Sequence, residues 1–299
     1  MTKAQTQLHE LIRKRSMEIR DKAARQVQVL EDDQATKTAT ELGCRVHDVY
    51  SAALSLGIVP YRYVRNIDAI SVEEQRKLAD SRVGVVGAGG LGGQVILLLA
   101  RVGIGHLVVV DHDLFDETNL NRQALSHRDA IGKPKSEQAV TTVRSINPGV
   151  EVTPHQAKID ASNAAEILSG SDVVVDALDN VPSRFALERA TKALKIPLVH
   201  GAVAGFEGRM MTIFPEDPGL KNLYGSEPVR VDEAKRPEAI LGVPVLTPSF
   251  IANLQAMEVV KIILDRGKLF RNAMLHVDLE GGQVSVFSFR QGNCQKTGF

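Results

Sequence analysis

The sequence is poor in the residues that mark several broad classes of protein. Its 299 residues include two cysteines and no tryptophan, and aromatic residues make up only 4% of the chain. Two cysteines cannot build a disulfide framework, so we expect a cytoplasmic protein. The scarcity of aromatic side chains argues against a surface on which the bases of a single-stranded nucleic acid would stack.

Charge and hydropathy argue against two further kinds of partner. Lys and Arg together number 36, as do Asp and Glu, so the formal net charge is zero and no basic field points to nucleic acid. No apolar run approaches the roughly twenty residues that span a bilayer. The first five residues lack the apolar segment of a signal peptide. We therefore expect neither a nucleic acid nor a membrane as a partner.

The most informative motif is rich in glycine and follows a short apolar segment. Residues 82–86 are predicted to form a strand, and residues 87–92 read Gly-Ala-Gly-Gly-Leu-Gly before a helical segment. Glycine lets the chain turn tightly and lets backbone amides approach a phosphate at a helix N-terminus. A second predicted strand, residues 107–110, leads into Asp111, which is placed to bind a ribose hydroxyl. This strand–helix–strand segment predicts a nucleotide site. Taken alone, it would first be interpreted as a site for a dinucleotide such as NAD.

Charged residues farther along the chain favour a triphosphate instead. Asp113, Arg122 and Lys135 follow Asp111 closely, and Asp179 comes after a further apolar segment. A dinucleotide site has no need of a second acid, an arginine and a lysine at these places. Arg and Lys neutralise phosphoryl oxygens, and carboxylates hold a hard metal ion such as Mg²⁺. These residue types therefore indicate a site that stabilises charge on ATP.

The order of predicted strands and helices indicates an α/β fold. Apolar strands alternate with helical segments, which predicts a doubly wound, Rossmann-like and mainly parallel sheet. These strands are residues 82–86, 107–110, 151–154, 173–177 and 198–200. Later segments have the pattern of hairpins, which predicts antiparallel C-terminal strands at residues 210–214, 274–277 and 284–289.

The chain is predicted to divide at about residue 65. Residues 1–65 would form an N-terminal helical extension, and residues 66–299 would form the Rossmann-like nucleotide-binding domain. Within the extension, apolar residues at three- and four-residue steps predict one helix over residues 8–31 and further helix over residues 36–57. The second segment also suggests a helix-turn-helix, but without a second basic surface a dimerising or substrate-covering role is favoured.

Five motifs in this order and spacing resemble the MoeB/ThiF superfamily, the bacterial relatives of ubiquitin-activating enzymes. The resemblance runs from about residue 62 to residue 265. Its motifs are Gly87-x-Gly89-Gly90-Leu-Gly92, Asp111-x-Asp113, Asn119-x-x-Arg122-Gln123, Gly132-Lys-Pro-Lys135 and Asp176-x-x-Asp179-Asn180. The resemblance implies Mg-ATP-dependent adenylation of a carboxylate, usually the C-terminal glycine of a ubiquitin-like sulfur-carrier protein.

The resemblance also implies roles for individual residues. Asp111 would hold the ribose, Asn119, Arg122 and Lys135 would hold phosphates, and Asp179 would position Mg²⁺. The implied nucleotide-binding set is Gly87, Gly89, Gly90, Gly92, Asp111, Asp113, Asn119, Arg122, Gln123, Lys135, Asp179 and Asn180. Arg65 looks like an arginine that reaches across a homodimer to the neighbour's phosphates, so the implied catalytic residues are Arg65, Arg122, Lys135 and Asp179. Positioning and electrostatic stabilisation would dominate catalysis.

The cysteines depart from the pattern of this superfamily. Its members commonly carry two C-x-x-C pairs that hold zinc, and often a cysteine that accepts the activated carrier. Here the two cysteines are Cys44 and Cys294, and four thiolates cannot be assembled from two within one chain. The first pair would be expected in residues 215–224, and residues 225–245 contain no acceptor cysteine. We therefore predict no structural zinc site and no thioester step on this chain.

Several interpretations remain open. The acceptor is either a sulfur-carrier protein or a small-molecule carboxylate of cofactor biosynthesis. An NAD-dependent oxidoreductase is a further class, and Arg122 and Lys135 speak against it. The last class is a scaffold that binds a nucleotide without turnover, and the complete set of polar site residues argues against this class. His112 is expected to point away from the neighbouring acids if strand-like alternation persists, and His200 is expected to be packed.

Overall fold

The helices and strands belong to two structural units, which a computed structural model describes for residues 2–226, 236–290 and 293–298. The first unit consists of Met1–Ser81, Ala100–His106 and Val143–Glu151. The second unit consists of Arg82–Leu99, Leu107–Thr142 and Val152–Phe299. The domain boundary near residue 65 stays a sequence-based prediction.

Helices and strands are interspersed along the described residues. The helices are α1 (Lys3–Arg15), α2 (Asp32–Leu42), α3 (Val46–Ser55), α4 (Val72–Asp80), α5 (Gly90–Val102), α6 (Lys135–Ile146), α7 (Ala164–Leu168), α8 (Val181–Leu194), α9 (Lys221–Tyr224), α10 (Pro237–Leu241) and α11 (Leu246–Leu264). The strands are β1 (Met17–Arg20), β2 (Gln26–Leu30), β3 (Val59–Pro60), β4 (Arg82–Val86), β5 (His106–Val110), β6 (Glu151–His155), β7 (Val173–Asp176), β8 (Leu198–Ala204), β9 (Glu207–Ile213), β10 (Ala273–Asp278), β11 (Gln283–Arg290) and β12 (Asn293–Gly298). Among these residues, no helix has the length and apolar character needed to cross a membrane.

The N-terminal part of the first unit is a helix followed by a hairpin, so the predicted single helix over residues 8–31 is wrong. Helix α1 ends at Arg15, and β1 then pairs antiparallel with β2. In β2, Val27 and Val29 alternate with glutamines, and their burial alternates in the same way. A period of two is that of a strand, but over so few residues it also fits helical spacing.

A polar turn between β1 and β2 stops the helix from continuing. The Asp21 carboxylate accepts hydrogen bonds from the backbone amides of Ala23 at 2.8 Å and Arg25 at 2.9 Å. Ala24 takes a left-handed conformation with φ of 60°. An aspartate that binds the amides of the following residues favours a turn over a helix. The hairpin therefore has a local chemical cause.

Two helices follow, as the apolar spacing of residues 36–57 predicts. Helix α2 ends where Gly43 adopts a φ of 63°, and α3 begins three residues later. These helices pack with α1 and with the three-stranded sheet β1-β2-β3 around one apolar cluster of the first unit. Its buried members include Ile12, Leu30, Val49, Tyr50 and Tyr63.

The second unit is built around a nine-stranded sheet, as far as the described residues show. Its strand order is β12-β11-β10-β9-β8-β7-β4-β5-β6. Strands β4, β7 and β8 are mutually parallel neighbours, whereas β8 to β12 pair antiparallel. The predicted α/β fold, mainly parallel with antiparallel C-terminal strands, is confirmed. Strand β8 is longer than predicted because β9 pairs along its whole length, from Leu198 opposite Ile213 to Ala204 opposite Glu207.

Candidate active site

A cavity of about 980 Å³ lies at the carboxyl ends of β4, β5 and β7. All of its lining residues belong to the second unit. It brings together most of the residues predicted from the sequence: Gly87, Gly89, Gly90, Asp111, Asp113, Asn119, Arg122, Gln123, Lys135, Asp179 and Asn180. The edge of a parallel sheet where strands end is the usual place for a ligand in such folds.

The glycine-rich loop, which comprises the residues after β4 and the first turn of α5, requires glycine at two of its positions. Gly87 has a φ of 95°, and a Cβ there would lie 2.6 Å from the carbonyl oxygen of Ala177. Gly92 is buried, and a Cβ there would overlap the carbonyl oxygen of Gly87. The absence of side chains thus allows the loop to fold tightly at the start of α5. It leaves backbone amides at the helix N-terminus, where an anion is stabilised.

Asp111 holds the shape of the glycine-rich loop from the end of β5. One carboxylate oxygen accepts a 2.7 Å hydrogen bond from the backbone amide of Ala88, and the other accepts one of 2.8 Å from that of Asp113. Burial raises the pKa of the Asp111 carboxyl above its ordinary value, and the two backbone amides oppose this shift. Asp111 lines the cavity, and its predicted contact with a ribose stays a prediction.

Lys135 presents its ammonium group to the cavity from the first residue of α6. The side chain is buried, and its Nζ lies 3.0 Å from Oδ2 of Asp113, whose side chain is about half exposed. The backbone amide of Lys135 also donates to the carbonyl oxygen of Asp113 at 3.0 Å. These two contacts fix the segment after β5 against the start of α6.

His112 also lines the cavity, and the expectation that it points away from the neighbouring acids is wrong. Its Nε2 lies 3.2 Å from Oδ1 of Asp113. Strand β5 ends at Val110, so the alternation of side chains expected in a strand does not extend to this residue. Asp111, His112 and Asp113 offer one ligand atom each within 4.8 Å of one another.

Asn119 and Arg122 are arranged by a short loop after β5. Asn119 is buried, and its side-chain oxygen accepts a 3.1 Å hydrogen bond from the backbone amide of Asp116. Its carbonyl oxygen accepts the backbone amides of Arg122 and Gln123 at 3.1 and 2.9 Å. The Arg122 guanidinium donates to the carbonyl oxygen of Thr118 at 2.9 Å. The loop therefore orders both side chains without using all of their hydrogen-bonding groups.

Gln123 contributes a buried polar atom that has no partner among the described residues. Its side chain is only 7% exposed, and its Oε1 makes no hydrogen bond. An unpaired buried oxygen is costly unless something donates to it. Because Gln123 lines the cavity, a ligand hydroxyl or amino group is a fitting donor.

Asp179 and Asn180 occupy the loop between β7 and α8. Asn180 caps α8, since its side-chain oxygen accepts the backbone amide of Ser183 at 3.0 Å. The Asp179 carboxylate is 78% exposed, with Asn180 Nδ2 at 3.3 Å and an Arg236 nitrogen at 3.9 Å. Arg236 also donates to the carbonyl oxygen of Asp179 at 3.3 Å. Lys158, Arg184, Arg189 and Arg236 line the cavity too, and no motif in a single sequence marked them.

Arg65 belongs to the other structural unit. It lies in the 3-10 helix Tyr61–Asn66 and its side chain is exposed. The cavity is lined by the second unit alone, so the role implied for Arg65 in a homodimer stays a prediction.

The residues of the cavity fit ATP with a bound Mg²⁺. The glycine-rich loop offers amides where a Cβ would not fit, and Lys135 and Arg122 offer positive charge for phosphate oxygens. Gln123 offers an unpaired acceptor, and Asp179 offers an accessible carboxylate of the kind that holds a hard cation. The donor set therefore agrees with the predicted ligands.

The segment expected to hold the first cysteine pair contributes apolar side chains to the core of the second unit. Within residues 215–224, Leu220 is fully buried and Leu223 packs against the core cluster of the second unit. Cys44 is half-buried in the first unit. The side chain of Cys294 and residues 227–235 of the predicted acceptor region lie outside the described residues. The prediction of no zinc therefore continues to rest on the cysteine count.

Comparisons with known proteins identify relatives of this chain. A SAMP-activating enzyme E1 from Haloferax volcanii is 43% identical over 221 residues, covering 73% of this chain and 80% of that protein. The molybdopterin-synthase adenylyltransferase of Escherichia coli is 36% identical over 215 residues, covering 69% of this chain and 83% of that protein. A further relative is the adenylyltransferase and sulfurtransferase MOCS3 of Arabidopsis thaliana, which is 35% identical over 242 residues. That match covers 79% of this chain but only 51% of the MOCS3 protein.

Solved structures and a family model agree with these relatives. A crystal structure of MccB from Escherichia coli has the same fold, with a TM-score of 0.66 and 22% identity, covering 80% of this chain and 72% of that one. The model of the ThiF family matches residues 63–297. That match includes every motif of the cavity, from the glycine-rich loop to Asp179. The chain therefore belongs to the ThiF family.

Proposed function

We propose that this protein is an adenylyltransferase that uses Mg-ATP to activate the C-terminal glycine of a ubiquitin-like sulfur-carrier protein. One observation carries the proposal: Arg122, Lys135 and Asp179 line a single cavity with the glycine-rich loop. Cations for phosphates and a carboxylate for a metal are what a nucleotidyl transfer needs, and a hydride transfer needs neither. Relatives named as an activating enzyme and an adenylyltransferase support the same class.

The reaction follows from charge and position. A carboxylate oxygen of the acceptor attacks the α-phosphorus of ATP, the bond to the pyrophosphate oxygen breaks, and an acyl-adenylate and pyrophosphate result. Lys135 and Arg122 would offset the negative charge that grows on the phosphate oxygens. The loop amides would fix the triphosphate so that the attack is in line. Asp179 would hold Mg²⁺, which supplies further neutralisation of the leaving pyrophosphate.

The proposal includes no covalent step on this chain. Of the two cysteines, neither lies in residues 225–245, where the resemblance leads us to look for an acceptor thiol. The adenylate would pass directly to a nucleophile supplied by another protein. We further propose a homodimer in which Arg65 of one protomer serves the phosphates bound by its partner, and a cytoplasmic location, in keeping with the low cysteine count.

ATP–pyrophosphate exchange tests this function. Purified protein is assayed with Mg²⁺, labelled pyrophosphate and a panel of ubiquitin-like carriers that end in Gly-Gly. The matched control is each carrier without its last glycine, which retains the folded body and moves the carboxylate. Exchange with the intact carrier alone is the expected result.

The other outcomes each contradict a part of the proposal. Exchange that requires a small carboxylate instead would assign the protein to small-molecule activation. ATP binding without exchange under any condition would favour a scaffold. Binding of a nicotinamide dinucleotide, seen as a change in its fluorescence, in place of ATP would favour an oxidoreductase.

A further inference from the structure

Five residues beside the cavity form a closed ring of hydrogen bonds. His200 Nδ1 lies 2.7 Å from Oδ2 of Asp176, and His200 Nε2 lies 3.3 Å from the hydroxyl of Tyr224. Arg184 donates to that hydroxyl at 2.8 Å and to the carbonyl oxygen of Leu178 at 2.5 Å. The backbone amide of Leu178 closes the ring by donating to Oδ1 of Asp176 at 3.0 Å. All five residues belong to the second unit.

Every hydrogen bond of the ring has a donor and an acceptor when His200 is neutral: Arg184 donates on both of its sides and Asp176 accepts on both of its sides. Nδ1–H of His200 donates to Asp176, which leaves Nε2 free to accept the hydroxyl proton of Tyr224. The Tyr224 oxygen then accepts from Arg184. Asp176 and His200 are fully buried and Arg184 is 3% exposed, so each lost bond would leave a polar group without water. Burial lowers the pKa of His200, in agreement with the neutral form.

The ring fixes the two peptide groups that flank Leu178, and the second of them leads into Asp179, the carboxylate assigned to the metal. Both polar atoms of Leu178 are bound, the amide by Asp176 and the carbonyl by Arg184. Asp179 is the following residue, and within the described part of the chain its exposed side chain has the 3.3 Å contact to Asn180 and the 3.9 Å contact to Arg236 described above. The place of its carboxylate is therefore set mainly by the backbone that the ring holds.

The Tyr224 hydroxyl is the member of the ring that a substitution can remove most selectively. It bridges His200 Nε2 and Arg184 Nη1 by hydrogen bonds. The other contact of the Arg184 side chain with this part of the ring is a longer ion pair, 3.8 Å from Nε to Oδ2 of Asp176, and Nε has no hydrogen-bond partner among the described residues. The Tyr224 aromatic ring is held separately, since it packs in the apolar cluster with Phe185 at 6.5 Å between ring centroids. The hydroxyl can thus be removed while the packing of the ring is kept.

We propose that Tyr224 and His200 are positioning residues that act through Arg184 and Leu178 to set the Asp179 carboxylate for Mg-ATP. This inference rests on the proposed function, because it takes Asp179 as the metal-binding group. Residues that orient a metal ligand without touching the metal affect affinity by about 10- to 100-fold. The ring gives His200 and Tyr224 that kind of influence although neither is among the predicted site residues.

Calorimetric ATP binding at a series of Mg²⁺ concentrations tests the inference on the full-length protein. In Tyr224→Phe we expect the Mg²⁺ concentration at half-saturation to rise about tenfold. The thermal midpoint of unfolding should fall, because two buried groups lose a partner, but the variant should stay folded at the assay temperature. His200→Asn keeps a donor for Asp176 but removes the acceptor for Tyr224, so it should cause a similar rise. The double variant should be no worse than either single variant, because one ring is broken in all three.

Controls separate this role from general damage and from a wrong function. Tyr61→Phe removes a hydroxyl from an exposed tyrosine and should leave the Mg²⁺ requirement unchanged. Imidazole ¹⁵N shifts should show a neutral His200 with Nδ1–H in the wild type. A Tyr224→Phe variant with the wild-type Mg²⁺ requirement would overturn the inference, as would an equal loss of binding at all Mg²⁺ concentrations. Metal-dependent ATP binding by a wild type that never exchanges pyrophosphate would contradict the proposed function instead.

Discussion

The ammonium of Lys135 lies 3.0 Å from a carboxylate oxygen of Asp113, and the backbone amide of the same lysine donates to the carbonyl oxygen of the same aspartate. The first residue of α6 is thus fixed to the segment that follows β5. Side-chain rotation of Lys135 toward a phosphate would leave the backbone contact in place. A cation can therefore move to its ligand while the loop keeps its shape.

Lys135→Gln should abolish most of the adenylation and leave the fold intact. The change removes one positive charge from the cavity, and loss of a single group that stabilises transition-state charge lowers the rate about 100-fold or more. Asp113 is half exposed, so it stays solvated without its partner. Pyrophosphate exchange measures the rate, and circular dichroism checks the fold. Lys133→Gln is the matched control, because that lysine is exposed two residues earlier. Wild-type exchange by Lys135→Gln would show that this charge is not used.

Gly92→Ala should damage the nucleotide site, whereas Gly93→Ala should be tolerated. The added Cβ at residue 92 would overlap the carbonyl oxygen of Gly87, a backbone atom that cannot move without shifting the loop. At residue 93 the nearest atom is a side-chain carbon of Leu125 at 3.4 Å, an ordinary contact. Overpacking of this kind destabilises by about 1 to 3 kcal/mol. Chemical denaturation and ATP binding measure both effects, and equal behaviour of the two variants would contradict the predicted geometry.

Local patterns in the sequence account for the part of the site that was predicted. The glycine-rich loop, Asp111 and Lys135 each follow directly from a strand end or a helix start, so spacing along the chain fixes where they meet in space. A period that is extended too far gives a wrong prediction. Helical spacing places the residues of β2 in a helix, and strand-like alternation continued past Val110 turns His112 away from its neighbours.

Long-range side-chain partners could not be predicted in this way. His200 meets Asp176 and Tyr224, each 24 residues away along the chain, and Arg184 meets Tyr224 across 40 residues. No periodicity connects such positions, because they are joined by the pairing order of the sheet and by the short helix α9. A lone histidine at the end of an apolar strand is predicted to pack in the core. His200 is indeed buried, but that prediction says nothing about its hydrogen bonds to Asp176 and Tyr224.

The stability of the protein should depend on pH through His200. Its pKa in the folded state is lowered from an ordinary value of 6.5 chiefly by burial. The hydrogen bond to Asp176 and the charge of that carboxylate oppose this shift, whereas the positive charges of Arg184 and Arg209 add to it. Above pH 6.5 both folded and unfolded states are neutral at this residue. Below it the unfolded state binds a proton that the folded state does not, so the free energy of unfolding falls as the pH falls.

Comparison of the wild type with His200→Asn isolates this contribution. Between pH 7.5 and pH 5.5, the wild type should lose about 1 kcal/mol more of its free energy of unfolding than the variant does, as measured by urea denaturation. The variant has a lower stability throughout, but only the difference between the two pH slopes matters. Equal slopes would mean that His200 takes up its proton in the folded state, contrary to the ring as drawn.

Arg65 offers the sharpest test of the proposed homodimer. If it serves the phosphates bound by the partner protomer, Arg65→Ala and Lys135→Gln are each inactive alone, but a mixed dimer contains one site with both groups intact. An equimolar mixture that exchanges subunits should therefore recover roughly a quarter of the wild-type rate of pyrophosphate exchange, because half of the dimers are mixed and each has one working site of two. Mixing Arg65→Ala with a variant that carries both substitutions is the control and should recover nothing. Arg65 is exposed, so its truncation leaves the fold unaffected. Full activity of Arg65→Ala by itself would remove Arg65 from the catalytic residues. No recovery in a mixture whose subunit exchange is verified by mass spectrometry would contradict its action across the dimer.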